Sequence, residues 1–91
     1  MPAKQVVISG RTFDAESTAT RCEDPVVYFA FQIAGKAADE AFELCNRKRR
    51  GDGIVVDERR VVSFGFTKLL KSNVGEGYFM AEGIGMLPEV R

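Results

Sequence analysis

Apolar and polar residues alternate with a period of two through "VVYFAFQIAG", Val26 to Gly35. That spacing puts Val27, Phe29, Phe31 and Ile33 on one face of a strand and Tyr28, Ala30 and Gln32 on the other. The first set reads as core. The period then changes. In "KAADEAFELCNRKRR", Lys36 to Arg50, the residues Ala38, Ala41, Phe42 and Cys45 recur at helical spacing, with Leu44 beside them. Asp39 and Glu40 lie in the first turn and Arg47 to Arg50 in the last, which complements the helix dipole. Gly51 and Gly53 are positioned to end it. Lys36 to about Arg49 is thus expected to be the only long helix.

The remaining segments read as strands. "KQVVISGRTF", Lys4 to Phe13, is rich in β-branched residues and broken by Gly10, the mark of a bulge or sharp bend. "DAESTATRCEDP", Asp14 to Pro25, is polar and turn-forming, although "TATRC" could pair as a short edge strand. "GIVVDE" is a short apolar run. "RRVVSFGFTKLLK" follows as a long strand with Val62, Phe64 and Phe66 on one face and Ser63, Gly65 and Thr67 on the other. "SNVGEG" reads as a hairpin loop, and "YFMAEGIGML", Tyr78 to Leu87, as the final strand before Pro88.

Composition narrows the function classes. Ninety-one residues, 45% of them hydrophobic and 29% charged, suit one small globular domain spanning 1–91. Lys plus Arg equals Asp plus Glu at 13 each, so anion binding requires a local patch and not a global field. The chain has no histidine, and its two cysteines, Cys22 and Cys45, are far apart and lack CxxC spacing. Histidine-based zinc sites and Ser-His or Cys-His catalysis are excluded for this chain alone. The carboxylates Asp14, Glu16, Asp24, Asp39 and Glu43 show neither acid–base pairing nor a metal cage, and "GDG" and "GEG" look like turns. No enzyme activity, metal or cofactor is expected. The first residues lack the apolar run of a signal peptide and no segment approaches membrane-span length, so the expectation is a cytoplasmic protein with reduced thiols and no membrane partner.

Strand, strand, helix, strand, strand, with bent and glycine-broken strands, predicts a mainly β, OB-like small barrel with one helix and room for an extra short strand. Residues 16–23 or 53–56 are both open as its source. At this point the residues resemble a family. "QVVISGRTFDAE" is similar to the first strand of bacterial single-stranded DNA-binding proteins and of the primosomal replication protein of the same lineage. "RVVSFGF" resembles their fourth strand and "MAEGIGML" their fifth, in the right order.

The resemblance implies binding of single-stranded DNA, with RNA an open alternative, in replication or recombination or for a mobile element. Such a surface needs rings for stacking and cations for the backbone. Most of the aromatics read as core. Tyr28 is the leading stacking candidate because it faces away from the inferred core. Tyr78 and Phe13 come next, with packing beneath a loop an equal alternative for each. Lys68 and Lys71 flank the hairpin where the resemblance places backbone-binding lysines. Arg47 and Arg49, with Lys48 and Arg50, form either an anion site or a solvated helix end. Arg59 and Arg60, near Asp57 and Glu58, are either charge-balanced or in phosphate contact, and read as a strand head near a binding face. A homodimer is expected, since a small barrel has apolar edges to protect. The competing function is a small phage- or plasmid-type protein-binding module that docks on a protein of a replication or defence complex.

Overall fold

The computed structural model describes residues 4–51, 54–56, 59–61, 63–72 and 77–88. Their order is β1 (Lys4–Ile8), β2 (Arg11–Glu23), β3 (Val26–Ala34), α1 (Ala37–Arg47), β4 (Arg50–Gly51), β5 (Ile54–Val56), β6 (Arg59–Val61), β7 (Ser63–Ser72) and β8 (Tyr78–Met86). Six strands form one antiparallel sheet in the order β1-β2-β3-β8-β7-β4, and β5 and β6 pair with each other. The sheet curls into a half-barrel, consistent with an OB-like small β-barrel. Three consecutive strands, then the last, then the long strand before it, with the helix following the third, is a Greek-key arrangement.

The curl begins in β2. Its first residues pair with β1 (Ala15 opposite Lys4, Arg11 opposite Ile8), and its later ones with β3 (Glu16 opposite Gln32, Glu23 opposite Val26). A register shift between Ser17 and Ala19 accompanies the change of partner, as bulges do where sheets bend. Gly10 does not bend a continuous strand. It closes a two-residue hairpin with Ser9, both at positive φ (78° and 50°), the geometry that matches the twist of antiparallel neighbours. The polar stretch expected to be mostly turn is therefore strand through Glu23, and residues 16–23 supply the second strand ahead of the helix.

The concave face is apolar. Val6, Ile8, Phe13, Ala15, Val27, Phe29, Phe31, Ile33, Phe64, Phe79 and Ala81 are buried there, capped by Ala38, Ala41 and Cys45 of α1. Phe31 meets Phe79 edge-on with ring centroids 6.1 Å apart, and Phe42 does the same at 5.6 Å. Gly83 is required here: a Cβ on it would enter the Phe29 ring and the Gly65 carbonyl. Two ion pairs at the helix start, Arg11 with Glu40 and Lys71 with Asp39 at 2.7 Å, fix α1 over the sheet.

The helix stops earlier than expected, and no glycine ends it. The Lys48 N–H donates to the Leu44 carbonyl at 3.1 Å and closes the last turn. The Arg49 carbonyl then accepts from the Phe66 N–H at 3.0 Å, and Arg50 and Gly51 pair with Gly65 and Phe64. Hydrogen bonds to the open edge of β7 thus replace those of a fourth helical turn. Arg59 and Arg60, expected at the head of the long strand, belong to the short strand β6, which pairs with β5 and sets them opposite Val56 and Val55. Val62 and most of the "SNVGEG" loop lie outside the described residues.

Candidate nucleic-acid interface

The alternation that buries Phe29 and Phe31 aims Tyr28, Ala30 and Gln32 at the convex face. On β8 the same alternation buries Phe79, Ala81 and Gly83 and turns Glu82, Ile84 and Met86 outward. Register brings the outward sets together, with Tyr28 opposite Ile84 and Ala30 opposite Glu82. On its other side Tyr28 faces Arg21 of β2, whose guanidinium lies 4.4 Å from the ring centroid. This is cation–π geometry. Arg21 also reaches Glu23 at 3.4 Å.

These side chains line an open groove of about 520 Å³ walled by Arg21, Tyr28, Thr67, Glu82 and Ile84, with the small Ala30 among them. A second hollow of about 470 Å³ adjoins it, sharing Ile84 and extending to Met86 and Arg50. Where β7 flanks β8, Lys68 stands opposite Glu82, and Lys68, Leu70, Met80 and Glu82 enclose a smaller recess. Ile84 and Met86 are 42% and 44% exposed, and Leu70 43%, an apolar stripe on a convex face. Charge on this surface is mixed: Arg21, Arg50 and Lys68 against Glu82 and Glu23.

The expected site residues divide. Tyr28 is half-buried in the groove wall, and Lys68 is exposed on the same face. Lys71 is not there. The register shift between Phe66 and Lys68 reverses the alternation, so Lys71 turns toward the helix, where it meets Asp39 and lies 5.5 Å from the Phe42 ring centroid. The two lysines therefore cannot grip one phosphate run together. Phe13 is 5% exposed and belongs to the core, opposite Val6. Tyr78 shares the parity of Ile84 on β8 but lies about 20 Å away along the strand, too far to act with Tyr28 on neighbouring bases.

Arg47 and Arg49 are exposed at the end of α1, and the Arg49 guanidinium donates to Asn46 Oδ1 at 3.4 Å. The backbones of Arg59 and Arg60 are placed in β6, and their side chains lie outside the described residues.

Sequence reasoning passed over Arg21, Glu82 and Ile84. Arg21 was recoverable: counting back from the Asp24–Pro25 turn pairs it with Tyr28. Cys22 is exposed and Cys45 buried, and they form no disulfide. Burial pushes the Cys45 thiol up to about 12. Among the described residues no helix is long and apolar enough to cross a membrane, and no group of three His, Cys, Asp or Glu could hold a metal ion. No family model matches the chain, and neither the curated proteins nor the solved structures give a significant match.

Proposed function

We propose that the convex face of β2, β3 and β8 binds a single-stranded nucleic acid, DNA in the first instance, and that the protein acts as an accessory in replication or recombination or in the biology of a mobile element. The observation that carries this reading is the Arg21–Tyr28 pair at the wall of an open groove on the outer face of β3. An OB-like barrel uses the corresponding strand face for oligonucleotides, and a half-buried ring at a groove wall beside a guanidinium offers a sequence-tolerant stacking platform. With Arg21 over one side of the ring, a base takes the other, and Arg50 and Lys68 lie where the flanking phosphates would pass. Only a few cations serve the groove, which predicts a shallow salt dependence.

A specific observation favours a second reading. Leu70, Ile84 and Met86 expose apolar surface on the same face, as a protein-docking patch would. Anisotropy titrations with a labelled single strand and its matched duplex, at two salt concentrations, separate the two. Saturable binding that prefers the single strand supports the first. Absence of binding at low salt leaves the protein-docking reading. We also propose a homodimer, since a small barrel has strand edges to protect: β1 ends the six-stranded sheet, with β5 lying beside it. A sedimenting monomer at high micromolar concentration contradicts that part alone.

A further inference from the structure

The groove contains a group that a pure backbone-binding surface would avoid. Glu82 projects into it from β8, directly opposite Ala30 and Lys68 and one outward position from Ile84. A carboxylate there repels phosphates, so its presence beside the stacking ring needs its own reason. Glu82 is exposed and takes part in none of the ion pairs among the described residues, although Lys68 faces it across the register. Its two oxygens are therefore available as acceptors.

We infer that the groove prefers guanine, with Glu82 accepting from the guanine N1–H and N2–H2 groups while the base packs against Tyr28 on the ring face away from Arg21. The inference rests on the single-strand reading above. Ala30 carries only a methyl group and is itself 7% exposed, and it lines the groove floor between Tyr28 and Glu82, where a flat ring would lie. Opposed side chains on paired strands have Cβ atoms about 5 Å apart, which keeps the carboxylate beside that space. A carboxylate can only accept, and it accepts two parallel hydrogen bonds best. Guanine alone among the four bases presents two adjacent donors on its Watson–Crick edge. Cytosine and adenine offer one amino group beside an acceptor nitrogen. Thymine and uracil flank their single N–H with two carbonyl oxygens, which repel the carboxylate. The groove thus orders the bases with guanine first and thymine last, through the hydrogen-bond pattern alone.

The test uses short oligo-dT strands that differ only in a central dG, dC, dA or dT, titrated by anisotropy against the full chain. A single guanine cannot form a quadruplex, so differences report on the groove. The expected result is roughly tenfold tighter binding of the dG-centred strand than of uniform oligo-dT. In Glu82→Gln the preference should fall to within about twofold, because an amide offers one acceptor and one donor, while oligo-dT binding stays equal or improves as the repelling charge is lost. Equal affinity of the wild-type protein for all four strands overturns the guanine inference and leaves the single-strand reading standing. A guanine preference that survives in Glu82→Gln also overturns it. If none of the strands binds, both fall together. Unfolding midpoints of wild type and variant should agree, since Glu82 is exposed and unpaired, and agreement excludes misfolding as the cause of a lost preference.

Discussion

Strands β3 and β8 present two faces made from the same eighteen strand positions, nine on each strand, and the faces have little in common. Toward α1 they bury Val27, Phe29, Phe31, Ile33, Phe79 and Ala81, with no polar side chain among the buried residues described. Away from it they show Tyr28, Gln32, Met80, Glu82, Ile84 and Met86, a mixture of ring, amide, carboxylate and thioether. One face is specified by volume and the other by chemistry. The difference means that substitutions a single residue apart should fail in different assays.

The largest effect belongs to the buried face. Phe31 is 1% exposed and touches Phe29, Phe66 and Phe79, so Phe31→Ala should cost about 3–5 kcal/mol in urea unfolding. A smaller loss would mean that the half-barrel is looser than its packing implies. Gly83→Ala should follow at about 1–3 kcal/mol, because the new Cβ meets the Phe29 ring and the Gly65 carbonyl. Next comes the convex face. Tyr28→Ala should weaken single-strand binding by about 1–3 kcal/mol with little change in salt slope, because stacking is not ionic.

The smallest effects separate the two lysines. Lys68→Ala should lower the salt slope by about 0.7, the value of one single-strand phosphate contact. Lys71→Ala should leave the slope unchanged and lower stability by about 0.2–1 kcal/mol through its lost partner Asp39. Equal effects of both lysines on the slope would contradict the register shift that separates them.

The cysteines extend the comparison to pH. Cys45 is held neutral in the folded state, with its pKa raised from 9.0 to about 12. Its contribution is fully present below pH 9 and lost as pH rises from 9 toward 12, where only the unfolded chain gains by ionising. A thiol reagent at neutral pH should therefore modify Cys22 rapidly and Cys45 only on unfolding. Rapid loss of both thiols would place Cys45 outside the core.

The buried face was legible in the sequence because volume leaves a period. Val27, Phe29, Phe31 and Ile33 alternate without interruption, and Ala38, Ala41 and Cys45 mark the helix stripe. The second strand was harder to see, because "ESTATRCE" carries polar residues at both parities and propensity alone reads it as loop. Its strand state comes from pairing with β1 and β3, a tertiary effect. The helix end was misplaced for a related reason: the open edge of β7 recruits Arg49 to Gly51. Tyr28 could be found from parity, whereas Lys71 could not be assigned to the helix side without the shift after Phe66. Arg21 and Glu82 depend on register across three strands, which one chain's spacing conveys only through its turns.

Methyl NMR tests the division between the faces most directly. The chain carries Ile8 and Ile33 in the core and Leu70, Met80, Ile84 and Met86 on the convex face. Titration of methyl-labelled protein with a short single strand should move the Ile84, Met86 and Met80 signals, while Ile8 and Ile33 stay in place. Shifts confined to other surfaces, or no shifts at saturating strand and low salt, would contradict a binding role for the convex face.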